Sequence, residues 1–140
     1  MHTVPFQAEH FWAIEPQPAQ SYLRDRVSPE HVKSLERTQA FTGVVDGRPV
    51  WCFGWAELYK TRALMWAYMA KDAGKYFYSI HKHSKRLVDS LPHRRIEIEV
   101  DFEFVEGHRW ASMLGFSLEC PRVRCHRIDG GDSSLYSRVR

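Results

Sequence analysis

Cysteine is scarce and odd in number: Cys52, Cys120 and Cys125 are the only three in 140 residues. With no export signal in view, that count argues against a disulfide framework. No apolar run approaches the ~20 residues that a membrane-spanning helix needs. The opening MHTVPFQAEH lacks the basic-then-apolar pattern of a secretory leader, so a cytoplasmic location is the expectation. A strong charge of one sign is also missing. Lys and Arg number 20 against 17 Asp and Glu, a formal charge of +3, which does not by itself call for nucleic acid. No internal repeat or low-complexity tract is visible, which excludes solenoids and biased tails.

What is present fits a globular chain that buries a proper core: 44% hydrophobic residues, 26% charged, and five Trp, six Tyr and eight Phe. Residues 1–140 are most economically one domain. Val4 to Gln7 reads as a short strand and Ala8 to Ile14 as a helical turn or two. Pro16 and Pro18 in EPQPAQ break it, and a second short helix is expected within Ala19 to Val27. Ser28-Pro29 is a stronger start signal, a serine cap followed by proline at the first helical position. Phe41 to Val45 and Val50 to Glu57 are strands joined by Asp46-Gly47, a pair that favours a tight hairpin turn. Thr61 to Met69 is a third strand of this meander, and Gly54 marks a candidate bulge.

The longest helix follows. Phe77, Ile80, Leu87, Val88 and Leu91 keep the 3.6 period, and Pro92 ends the run. Arg95 to Asp101 alternates strictly, with Ile96, Ile98 and Val100 on one face and Glu97, Glu99 and Asp101 on the other. Phe104 to Leu114 is helical again and Gly115 supplies a left-handed stop. Phe116 to Ile128 and Ser133 to Val139 read as a closing hairpin around Asp129-Gly130-Gly131-Asp132. The order implies an α/β layer with a mixed sheet.

The stretch from Arg94 to Glu119 carries the one recognisable signature: strand, helix with Gly107 and Trp110, then Leu114-Gly115-Phe116 before the next strand. It resembles the GNAT superfamily, the GCN5-related N-acetyltransferases. The resemblance implies a mixed, mostly antiparallel sheet flanked by helices on both faces. Gly74-Lys75 before the long basic helix, and His108 with Trp110 in the later one, are also similar to small GNAT-like proteins of short-tailed bacteriophages.

The family binds acetyl-CoA at the loop before the long helix, where backbone N–H groups and the helix dipole receive the pyrophosphate. Here that loop is Met69, Ala70, Lys71, Asp72, Ala73, Gly74 and Lys75. Of the family's Gln/Arg-x-x-Gly-x-Gly/Ala pattern, with positions at Met69, Asp72 and Gly74, only the last glycine survives. Asp72 brings a carboxylate beside the phosphates, which Lys71 and Lys75 partly offset. The family's usual acid, a tyrosine four residues before the Gly of Gly-Phe, falls on Ala111, so Tyr76, Tyr78 or solvent would protonate the thiolate. Glu57, Glu97 and Glu99 are the candidate bases, drawing a proton from an amine through water; the plain reading of Glu97, Glu99 and Asp101 is a strand's polar face.

Two functions follow: acetyl transfer from acetyl-CoA to an amine acceptor, or a catalytically degenerate protein of virion assembly with a phage or host partner. The helix with His81, Lys82, His83, Lys85 and Arg86 is either a solvated face or a phosphate contact, for coenzyme A or nucleic acid. Cys120, Cys125 and His126 match no zinc spacing, and Trp51, Trp55 and Trp66 are read as core.

Overall fold

Alternation, turn chemistry and helix period translate into a seven-stranded sheet in the computed structural model, which describes residues 1–140. The strands are β1 His2–Pro5, β2 Gln39–Val45, β3 Arg48–Tyr59, β4 Arg62–Met69, β5 Arg95–Asp101, β6 Ser117–Val123 and β7 Ser133–Val139. The helices are α1 Ala8–Ala13, α2 Ser21–Arg26, α3 Pro29–Ser34, α4 Phe77–Ser90 and α5 Val105–Met113. Strand order is β1-β2-β3-β4-β5-β7-β6. All neighbours are antiparallel except β4 and β5, which run parallel through Arg62↔Arg95, Ala63↔Ile96 and Leu64↔Glu97. Beyond those three pairs the two strands part. That splay is the feature the rest of the molecule serves.

Local signals explain most boundaries. Asp46 and Gly47 both take positive φ, 49° and 76°, the mirror-image turn that matches the twist of β2 and β3. The Ser28 side chain accepts from the His31 N–H and caps α3. Gly115, at φ 88°, stops α5. Three expectations are corrected. The first strand is His2–Pro5 rather than Val4 to Gln7, because it pairs with Phe41 through Val44 of β2. β6 ends at Val123, well short of Ile128. Gly54 is not a bulge: the irregularities lie at Gly43/Val44 and Glu57/Tyr59. Gly54 is required because a Cβ there would meet the Gln39 carbonyl oxygen at 2.5 Å.

Two apolar clusters flank the splay. The larger packs Phe6, Phe11, Ile14 and Val32 of the N-terminal segments against β2, β3 and β4. Phe11 stacks on Tyr68 with ring centroids 4.2 Å apart. The smaller joins Ile96 and Val100 of β5, Tyr136 of β7 and Ala111, Leu114 and Phe116 of the α5 region. Helix α4 belongs to both, giving Ile80 to the first and Val88 and Leu91 to the second. Its basic face is partly paired: Lys85 and Arg138 both hold Asp89 at 2.7 Å. No helix is long and apolar enough to cross a membrane.

Candidate active site

The splay opens a cleft of about 560 Å³ between β4 and β5. Met65, Trp66, Ala67 and Met69 of β4 form one wall, and Ile98, Glu99, Val100 and Asp101 of β5 the other. Ser84 and Val88 of α4 and Gly107, Trp110 and Ala111 of α5 close one side; Gln17 and Gln20 close the opposite side. Trp66 therefore does more than fill the core: it is half-buried, lines the cleft and meets Phe6 edge-on.

One end of the cleft is the expected cofactor loop. Met69, Ala70, Lys71, Ala73 and Gly74 all line it, whereas Asp72 and Lys75 do not. A 3-10 turn, Ala73–Tyr76, leads into α4. The N–H groups of Asp72 and Gly74 donate to no group of the chain, so two donors stand at the positive end of the helix. The Asp72 carboxylate is gripped by Arg48, with Nη1–Oδ1 at 3.2 Å and Nη2–Oδ2 at 2.7 Å, and this holds its pKa below the ordinary value. The offset comes from Arg48 rather than from Lys71, which pairs with Glu15 at 2.9 Å. Gly74 has no positive φ, and a Cβ there would meet nothing within 4 Å. Nothing inside the fold demands glycine at 74.

The three carboxylates of β5 have three different surroundings. Glu97 is buried, accepting from Arg62 Nε at 2.8 Å and Arg95 Nε at 3.3 Å; the Arg62 hydrogen bond is the main cause of its lowered pKa. It sits at the closed end of the splay and does not line the cleft. Glu57 also lies outside, bonded at 2.7 Å to Nε2 of the buried His93. Glu99 does line the cleft; its side chain is 44% exposed, and its nearest cation is His126 at 3.8 Å. Asp101 lines it too. Burial raises the Asp101 pKa against the opposing pull of Arg127 and of the Tyr22 hydroxyl, which donates to it at 3.1 Å. The Arg127 guanidinium stacks over the Tyr22 ring at 4.7 Å.

The proposed acids are placed elsewhere. Tyr78 is 78% exposed beside Lys82, and Tyr76 packs against the larger core; neither lines the cleft. Ala111, buried at 1% exposure, does line it, and no Tyr, Cys or His joins it. The neighbouring Trp110 indole donates to His81 Nδ1 at 3.2 Å, so His81 ties α4 to α5 instead of serving the surface. His108 Nε2 lies 2.8 Å from the Phe102 carbonyl, which can only accept, so Nδ1 receives the Tyr136 hydroxyl at 2.7 Å.

No protein-family model and no curated protein sequence matches this chain. Solved structures do. Ard1 from Thermoplasma volcanium superposes with a TM-score of 0.78 at 14% identity, covering 99% of this chain and 96% of that one. An acetyltransferase of the GNAT family from Bacillus anthracis gives 0.68 at 12%, covering 98% and 93%. The fold is that of the GNAT acetyltransferases. A third GNAT-fold neighbour, yncA, a putative acetyltransferase from Salmonella typhimurium solved with acetyl-CoA, gives 0.73 at 11%, covering 99% and 93%.

Residues that sequence reading missed belong mostly to the N-terminal side. Gln17, Gln20 and Tyr22 reach the cleft or its carboxylates. The signal that could have flagged them is the pair of glutamines in a proline-broken segment, amides with no helix of their own to serve.

Proposed function

We propose that this protein transfers an acetyl group from acetyl-CoA to an amine. The observation that carries the reading is the β4–β5 splay, an apolar cleft running from free helix-start N–H groups to the Glu99 carboxylate. Gly74 supports it: with no steric or conformational demand for glycine, close approach of a ligand to the backbone is the remaining reason for one. Arg48 removes the objection that Asp72 would repel phosphates.

Bound acetyl-CoA supplies a thioester carbonyl open to attack. The N–H groups of Asp72 and Gly74, with Lys75, receive its pyrophosphate. Backbone N–H groups on the cleft edge of β4 hold the negative charge that develops on the carbonyl oxygen. Glu99 takes the proton of the attacking amine, directly or through water, and is the one candidate base placed in the cleft. With Ala111 at the usual acid position, solvent returns the proton to the thiolate, a group whose ordinary pKa near ~8.5 makes it a tolerable leaving group.

Calorimetric titration with acetyl-CoA and CoA tests this. Micromolar binding, abolished by Gly74→Trp, is the expected result; the open space around Gly74 lets that variant fold. The second reading is an assembly or interaction protein on a degenerate fold, in a virion or with a host partner. The alanine at 111 and the lack of any cleft tyrosine favour it. Absence of heat at millimolar cofactor, from folded protein, would select it.

A further inference from the structure

Where β5 leaves β4, the chain supplies its own substitute. In a parallel ladder, a residue opposite position i donates to the carbonyl of i−1 and accepts from the N–H of i+1. The last observed pair is Leu64↔Glu97. Continued in register, the ladder would set Glu99 opposite Trp66 and Asp101 opposite Tyr68. The latter position would use the Ala67 carbonyl and the Met69 N–H. Both are taken by one side chain: Gln20 Nε2 donates to Ala67 O at 2.8 Å, and Gln20 Oε1 accepts from Met69 N at 3.0 Å. A carboxamide thus stands where a peptide group of β5 would have been.

The carboxamide is held there by its own segment. Gln17 Nε2 donates to Gln20 Oε1 at 2.9 Å. The Gln17 N–H donates to Met69 O and the Lys71 N–H to Glu15 O, both at 2.9 Å, and Pro16 bridges Ala70. The strap of residues 15–20 therefore follows the β4 edge up to the helix start, and Gln20 reaches from it into the cleft.

We propose that the β4 edge at Ala67 and Met69 is a binding subsite for a chain of secondary amides, and that Gln20 is its displaceable internal occupant. The inference rests on the acetyl-CoA reading, because the arm of coenzyme A carries two such amides between its pyrophosphate and its sulfur. A ligand anchored at Gly74 and reaching toward Glu99 must run along this edge, and its amide replaces the carboxamide of Gln20 bond for bond. The exchange leaves the Gln20 side chain free to turn to water, so the intact residue taxes binding of the arm without touching the nucleotide end.

The test titrates the wild-type protein, Gln20→Ala and Gln20→Met with CoA and with adenosine 3′,5′-bisphosphate, which lacks the amides. Two hydrogen bonds of ordinary net worth predict CoA binding tighter by about five- to tenfold in both variants, with the bisphosphate unchanged. Amide hydrogen exchange gives the second readout: the Met69 N–H exchanges faster in the free variants and slows again when CoA is added. Gln20→Met keeps the side-chain length should the alanine variant fold poorly. CoA affinity that is unchanged or weaker in the variants, with bisphosphate binding intact, overturns the role of Gln20 alone. Failure of every protein to bind either compound overturns the cofactor reading and this inference with it.

Discussion

Replacing Glu97 by alanine separates a structural carboxylate from a catalytic one. Glu97 is 4% exposed and is the acceptor for both Arg62 and Arg95 on the last rung before the cleft. Hydrogen bonds to charged groups are worth ~1.5–3 kcal/mol each. The Arg62 side chain is 41% exposed and regains water once released, so the full penalty for stranding a buried charge does not apply. A loss of about 2–3 kcal/mol from Glu97 is the expected total. At ~2.1 cal/mol/K per residue, unfolding 140 residues has an entropy near ~0.3 kcal/mol/K, so Tm should fall by about 7–10 °C. Thermal melts followed by circular dichroism measure this, alongside the acetyl-transfer rate below Tm. Melting unchanged within ~1 °C, with the rate collapsed, would refute the structural assignment and return Glu97 to the list of bases.

Glu99→Gln should give the opposite signature, Tm nearly unchanged and transfer slowed by ~10²–10⁴ in a thiol-release assay, because it removes a base that holds nothing together. Gly54→Ala should cost about 1–3 kcal/mol in urea unfolding, since the new methyl cannot avoid the Gln39 carbonyl. Acid should destabilise the fold. Asp72, Asp89, Glu97 and Glu119 have lowered pKa values from paired cations, and Arg127 brings Asp129 down to about 2. Their contribution is complete above the unfolded carboxylate values of ~4 and is lost as pH falls toward the folded ones. Melts at descending pH check this, with Asp129→Asn losing less on acidification. Buried Asp101 has the reverse sign, subtracting stability as pH rises through its raised value.

Much of the fold was legible because it is local. The Asp46-Gly47 turn, the Ser28 cap, the period of α4 and the stop at Gly115 are each set by neighbours in sequence. The insertion of β7 between β5 and β6, and the parting of β4 from β5, depend on packing between distant segments and leave no periodic trace. The site followed the same division. The loop from Met69 to Gly74 could be read from its position before α4, but the fates of Glu97, Glu99 and Asp101 could not. Strict alternation put them on one face; Arg62, Tyr22 and Arg127, brought in by the fold, made one a clamp, left one free and buried one.

Because β4 and β5 share only three paired positions, the sheet is continuous in its hydrogen bonding yet divided in its packing. The N-terminal half, with its hairpins, can form from contacts close in sequence, while the C-terminal half is tied to it by one short ladder and by α4. Helix α4 acts as a beam with one end seated in each core. Small rotations of the two halves about that beam would widen or narrow the cleft without breaking either core. A molecule wedged between β4 and β5 would lock the beam at both ends, so occupancy would be felt as stiffness far beyond the residues it touches.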